Sequence, residues 1–133
     1  MISVDTGVFV ALLDKRDTHH ARVRNFFSQL QEPLVTTLPV ITETCYLLSH
    51  QGKCNFLRTL DAGAVELFTL KKHHFGRMLV LTKQYADLPM DFADASLVVL
   101  AESLGHGRIV TVDRRDFGIY RWANSQPFEN LLF

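Results

Sequence analysis

Cysteine is scarce in this chain. Cys45 and Cys54 are the only two among 133 residues, and they form neither a Cys-x-x-Cys pair nor a Cys/His zinc spacing. Long apolar runs are missing too. The longest, Val8 to Leu13, falls far short of the roughly 20 residues that span a bilayer, which excludes a membrane helix. The first residues, Met1-Ile2-Ser3-Val4-Asp5, lack the basic start of a signal peptide. An excess of either charge is also absent. Fourteen Lys+Arg balance fourteen Asp+Glu, which rules out a tail that grips nucleic acid by bulk charge but leaves room for a local basic patch. What is present is ordinary globular material, 47% hydrophobic and 21% charged. The expectation is a soluble, cytoplasmic single domain over residues 1–133 with no repeat or linker.

Along the chain, short β-rich runs alternate with helical patterns. Ile2 to Val4 reads as a strand running into Asp5-Thr6, where Thr6 can cap a helix through Leu13. Asp17-Thr18 opens a second helix with Ala21, Val23, Phe26, Phe27 and Leu30 as its apolar stripe. Leu34 to Thr37 is a strand. Pro39 then starts a helix to about His50, closed by Gln51-Gly52, and a short helix near Asn55 to Leu60 follows. Val65 to Leu70 is a strand, His73 to Ala86 a helix, and Pro89-Met90-Asp91 opens an apolar helix stopped at Gly105. Arg108 to Val112 is a buried strand, and the rest reads as short and irregular. Strands separated by helices require crossovers, so the expected class is α/β, a mostly parallel central sheet flanked by helices on both faces.

The acids are the informative feature. Asp5 and Asp113 stand at the ends of the first and last strands, where open parallel sheets bind ligands. Either alone is most simply a turn or capping residue. Glu43 shares a helix face with Val40 and Leu47, and Asp94 shares one with Leu97, Val98, Ala101 and Leu104. A carboxylate on an apolar stripe costs several kcal/mol unless a cation compensates it. One such acid suggests a salt bridge to Arg or Lys. Two, with two more at strand ends, favour a shared polyvalent cation. Oxygen-only donors suit Mg²⁺ or Mn²⁺. The paired histidines His19-His20 and His73-His74 point to different helix faces, which argues against zinc and for solvated side chains.

Four blocks then carry a resemblance: Val4-Asp5-Thr6, Val40-Ile41-Thr42-Glu43, Asp91-Phe92-Ala93-Asp94-Ala95-Ser96-Leu97-Val98, and Ile109 through Asp113-Arg114-Arg115-Asp116-Phe117. Together they resemble the ordered blocks of PIN-domain proteins, in size and wording the small prokaryotic VapC-type toxin ribonucleases. The last two blocks are the specific part. The resemblance implies a PIN-like fold and metal-dependent endoribonuclease activity on RNA, with an acidic site at Asp5, Glu43, Asp94 and Asp113. On that basis Asp5, Asp94 and Asp113 are the expected direct ligands of Mg²⁺ or Mn²⁺, and Glu43 is a ligand or orients the attacking water. It also implies a protein antitoxin and a homodimer. Phe26 and Phe27 could serve either contact or simply fill the core.

Neighbouring residues carry more than one reading. Asp91 suits a helix cap, or a second metal held through water; Asp116 suits loop stabilisation or an outer-shell contact. Thr6 and Thr111 could orient a carboxylate or water, with Ser96 a weaker candidate. Arg114 and Arg115 either touch RNA phosphates or serve solubility. Lys15, Arg16, Arg22 and Arg24 form a second basic cluster, which an exposed helix face also explains. Three other functions compete. A PIN-like module could bind RNA or protein without cutting, although all four acids are in place. A receiver-like signalling domain would want an acid after a central strand, where Val65 to Leu70 runs into Lys71-Lys72. A haloacid-dehalogenase-like phosphatase would want Asp-x-Asp after the first strand, where the chain reads Asp5-Thr6-Gly7.

Overall fold

The computed structural model describes residues 1–133. The order begins β1 (Ile2–Val4), α1 (Thr6–Leu13), α2 (His20–Ser28), β2 (Leu34–Thr37), α3 (Leu38–Leu47), α4 (His50–Asp61) and β3 (Val65–Phe68). It continues α5 (His74–Gln84), α6 (Phe92–Leu104), β4 (Arg108–Val110), α7 (Arg114–Ile119), β5 (Arg121–Trp122), β6 (Gln126–Pro127) and β7 (Glu129–Asn130). Five strands form one parallel sheet in the order β3-β2-β1-β4-β7. β5 and β6 pair as a separate antiparallel ribbon. The chain steps outward from β1 through β2 to β3, then crosses back to β4 and on to β7. β1 is therefore the switch point, with Ser3 and Val4 beside Ile109 and Val110. This order differs from the 2-1-3-4-5 of receiver-type sheets.

The core sits where the central strands meet α1 and α6. Val4, Ile109 and Val110 are buried with Val8 and Ala11 of α1 and with Leu97, Val98 and Leu100 of α6. Burying each such large aliphatic side chain is worth about 1.5–3 kcal/mol. α6 is buried from Ala95 through Ala101, so apolar periodicity alone could not identify one inward face. It is capped by Asp91 and stops at Gly105, whose φ of 78° is the left-handed conformation that glycine tolerates.

Several boundaries depart from the sequence reading. Asp17 accepts from the His19 amide in a turn, so α2 starts only at His20, and Ala21 of its expected stripe is exposed. Gln51-Gly52 does not close α3. The chain breaks at Leu48-Ser49, and the Ser49 hydroxyl accepts from the Gly52 amide to start α4. β4 stops at Val110 because Thr111 leaves the ladder to bond side chains. The C-terminal region is more regular than expected: α7, the ribbon and β7, which extends the sheet beside β4. Phe26 and Phe27 are half-buried against the core and meet edge-on at 5.5 Å. No helix is long and apolar enough to cross a membrane.

Candidate active site

The carboxyl ends of β1 and β4 deliver the first acids. Asp5 follows β1 and is the N-cap of α1, accepting from the Thr6 amide at 2.7 Å. The capping residue is thus Asp5 rather than Thr6. The Thr6 hydroxyl is instead buried with no hydrogen-bond partner. Gly7 permits this tight entry: a Cβ there would overlap the Val112 side chain, so only glycine lets α1 lie against the β4–α7 link. Asp113 lies in that link, beyond the end of β4, and caps α7 by accepting from the Asp116 amide at 3.0 Å.

Thr111 joins the two. Its hydroxyl donates to Asp5 Oδ2 at 2.7 Å and accepts from the Asp113 amide at 3.0 Å. Asn130 of β7 holds Thr111 in turn: its carboxamide accepts from the Thr111 amide and donates to the Thr111 carbonyl at 3.0 Å. Both oxygens of Asp5 are therefore engaged by donors on neighbouring elements.

Asp94 comes from the first turn of α6, where its amide donates to Asp91 at 2.7 Å. Its Oδ2 accepts from the hydroxyl of Tyr120, just past α7, at 2.9 Å. Tyr120 is fully buried, and no spacing in the sequence marks it. Ser96, two residues on, donates to the Ala93 carbonyl and meets the hydroxyl of Thr37, the cap of α3, at 2.7 Å. That buried contact ties α6 to α3, so Ser96 acts in packing. Glu43 sits in the middle of α3, half-buried, and lines a cavity of about 760 Å³ with Asp91, Phe92, Phe75 and Tyr46. The expected Val40–Glu43–Leu47 stripe is not the buried one. Leu47 is 56% exposed, while Val40, Thr44 and Leu48 face inward, so Glu43 lies at the margin of the core.

Burial and mutual repulsion shift the titration of these groups. Burial raises the Asp5 carboxyl to about 6, against the pull of Thr111 and Thr6, with the charges of Asp113 and Glu43 adding to the rise. Asp94 is raised to about 8, first by burial, then by the charges of Asp91, Asp5 and Asp113. Burial and the neighbouring Asp113 also raise Asp116. Burial and Asp94 push the Tyr120 phenol well above its ordinary value, which keeps it a donor. None of the four acids has a basic partner: the ion pairs are Arg16–Asp14, Arg77–Glu102 and Arg108–Glu32. The N-termini of α1, α6 and α7 offset part of this negative charge. No three acidic side chains stand within common reach of one ion as they are, so gathering them around one requires side-chain rotation. An all-oxygen donor set without protein cations, beside the orphaned Thr6 hydroxyl, fits a hard divalent ion.

Asp91 stands at the rim of this cluster, and the basic residues and histidines fall outside it. Asp91 is exposed and caps α6. Arg115 is exposed; Arg114 is exposed with its guanidinium 4.6 Å from the centre of the Phe133 ring, which Arg22 covers at the same distance. Arg22 also donates to the Leu132 carbonyl, so the basic cluster of the first hairpin is partly spent on the C-terminus. His20 contacts the Ala11 carbonyl and His74 accepts from the Lys71 amide; neither is simply solvated.

Three similarities accompany this geometry. The PIN domain pattern matches residues 2–122. Ribonuclease VapC26 of Mycobacterium tuberculosis is 30% identical over 122 residues, spanning 89% of this chain and 90% of that protein. The crystal structure of VapC20 from the same organism, described as a sarcin-ricin loop cleaving toxin, superposes with a TM-score of 0.78 at 15% identity. That superposition covers 86% of this chain and 92% of VapC20, and it shows a shared fold.

Proposed function

Because this chain belongs to the PIN-domain family, we propose that it is a Mg²⁺- or Mn²⁺-dependent endoribonuclease, the toxin of a toxin–antitoxin pair acting in the cytoplasm. One observation carries the proposal: Asp5 and Asp113 beyond the ends of the neighbouring strands β1 and β4, and Asp94 on α6, lie around the switch point of a parallel sheet without a basic partner, two of them pushed well above their ordinary range.

Asp5, Asp94 and Asp113 would hold the cation, with Glu43 beside them and Asp91 and Asp116 reaching it through water. A divalent cation held by these residues would supply positive charge against the phosphodiester and a more acidic water. The protein's own groups do the rest. Thr111 fixes Asp5 and the Asp113 backbone in one register. Glu43, on the cavity rim, orients the attacking water by accepting its hydrogen bond. The orphaned Thr6 hydroxyl supplies a further donor to a ligand or water. Arg114 and Arg115, exposed at the start of α7, take RNA phosphates.

Self-association and antitoxin binding fit a different surface from Phe26 and Phe27. Leu38 and Tyr46 of α3, Leu67 of β3, Phe75 and Leu79 of α5, and Phe92 are each more than half exposed. An apolar area of that kind on a small domain marks a protein contact.

The test is cleavage of a single-stranded RNA by protein freed of copurified partner. Activity should require Mg²⁺ or Mn²⁺ and disappear in EDTA. Binding without cleavage across a broad RNA panel, with metal present, would favour a PIN-like module that binds RNA or protein without cutting.

A further inference from the structure

The Tyr120 hydroxyl bond to Asp94 does more than fill a buried donor. Asp94 has an asymmetric environment: Oδ2 accepts from the Tyr120 side chain at 2.9 Å, while Oδ1 makes no hydrogen bond within the protein. Asp113 shares this pattern, but its one engaged oxygen accepts from a backbone amide rather than a side chain. Asp5, in contrast, has both oxygens engaged. Tyr120 itself is held on all sides. Its amide donates to the Asp116 carbonyl at 2.9 Å, closing α7. Its ring meets Phe117 at 5.1 Å and Tyr85 at 5.0 Å, both edge-on, and the Tyr85 hydroxyl accepts from the Arg121 amide at 2.9 Å. The same short helix α7 is capped at its start by Asp113. One rigid element thus carries Asp113 at one end and, at the other, the hydroxyl that locks Asp94.

We infer that Tyr120 is a positioning residue that occupies one oxygen of Asp94 and leaves Oδ1 alone for a cation, so that the site prefers Mg²⁺ over Ca²⁺. The inference rests on the acids holding a divalent ion. Mg²⁺ demands near-octahedral, one-oxygen ligation from each carboxylate, whereas Ca²⁺ accepts both oxygens of one group. With Oδ2 committed to Tyr120, two-oxygen ligation by Asp94 requires breaking the bond. A ligand carboxylate released from its hydrogen-bond partner also loses orientation, an effect typically worth about 10–100-fold in metal affinity.

Tyr120→Phe removes the hydroxyl and keeps both ring contacts. Thermal unfolding is followed while Mg²⁺ or Ca²⁺ is titrated separately into EDTA-stripped, dialysed protein. In wild type, Mg²⁺ should act at lower concentration than Ca²⁺. In Tyr120→Phe the half-saturating Mg²⁺ concentration should rise about tenfold and that of Ca²⁺ by less, narrowing the preference. In an Asp94→Asn background, adding Tyr120→Phe should move neither value further. A purely structural tyrosine would lower the metal-free Tm and leave both half-saturating concentrations where they were; that result overturns the inference. Loss of folding on removal of this one hydroxyl would assign the bond to stability and overturn it as well. If wild type responds to neither ion, the cation site itself fails first and takes the role of Tyr120 with it.

Discussion

In metal-free protein at neutral pH, Asp94→Asn should stabilise the fold, and only at neutral pH. The Asp94 carboxyl is raised to about 8 and that of Asp5 to about 6, both from 3.8. A raised acid pKa means that the folded chain binds the proton more tightly than the unfolded one. Stability from these groups is therefore full below about pH 4, and falls as pH rises through the window ending near 6 for Asp5 and near 8 for Asp94. At about 1.4 kcal/mol per unit, Asp5 costs about 3 kcal/mol at pH 7. Asp94 is reached by water, and screening brings its penalty to about 2–3 kcal/mol. Asparagine keeps an acceptor for the Tyr120 hydroxyl and removes the charge. The variant should gain about 2 kcal/mol at pH 7.5, a rise of roughly 6–8 °C in Tm for a domain of this size, and almost nothing at pH 4.5. Mg²⁺ should lift wild type at pH 7.5 and act on the variant only at higher concentration. Thermal denaturation by circular dichroism, with EDTA or Mg²⁺ across pH 4.5 to 8.5, measures all of this. A metal-free wild-type Tm that stays flat or climbs between pH 5 and pH 8 would refute the reasoning.

Gly7→Ala should cost about 1–3 kcal/mol, read from urea midpoints, because its Cβ would drive into Val112. Thr111→Val strips a donor from Asp5 and an acceptor from the Asp113 amide; it should destabilise by about 1–3 kcal/mol in denaturant titrations, more at pH 7 than at pH 4.5. Replacing Arg114 and Arg115 with Gln should weaken RNA binding and flatten the slope of log affinity against log salt by about 1.4, the share of two phosphate contacts on a single strand.

The strand ends were legible because β-rich runs met acids there: Asp5 directly follows β1 as read, and Asp113 follows the neighbouring strand β4, though a short link beyond its end rather than at it. Asp91 and Gly105 bracket α6 as capping chemistry demands. Helical spacing misled at α3, where counting from Val40 by three and seven chose Glu43 and Leu47 while the inward row runs Val40, Thr44, Leu48. A helix packed on two neighbours has a wide buried face, and spacing cannot say which edge an acid occupies. Asn130 and Tyr120 left no trace in the sequence because their partners, Thr111 and Asp94, are 19 and 26 residues away. Such contacts exist only once β7 and α7 have docked. For the Phe26–Phe27 pair the sequence left core and partner both open, since a two-phenylalanine helix face reads alike whichever covers it; the structure packs both against the core.

The central claim is that the acids at the head of β1 and α6 cut RNA. Wild type, Asp5→Asn and Asp94→Asn, purified alike and freed of any partner, should be compared in cleavage of one single-stranded RNA with Mn²⁺ and in binding to the same RNA. Both substitutions should abolish most cleavage while binding survives, because Arg and Lys rather than the acids hold the phosphates. Equal cleavage by all three proteins would contradict the account.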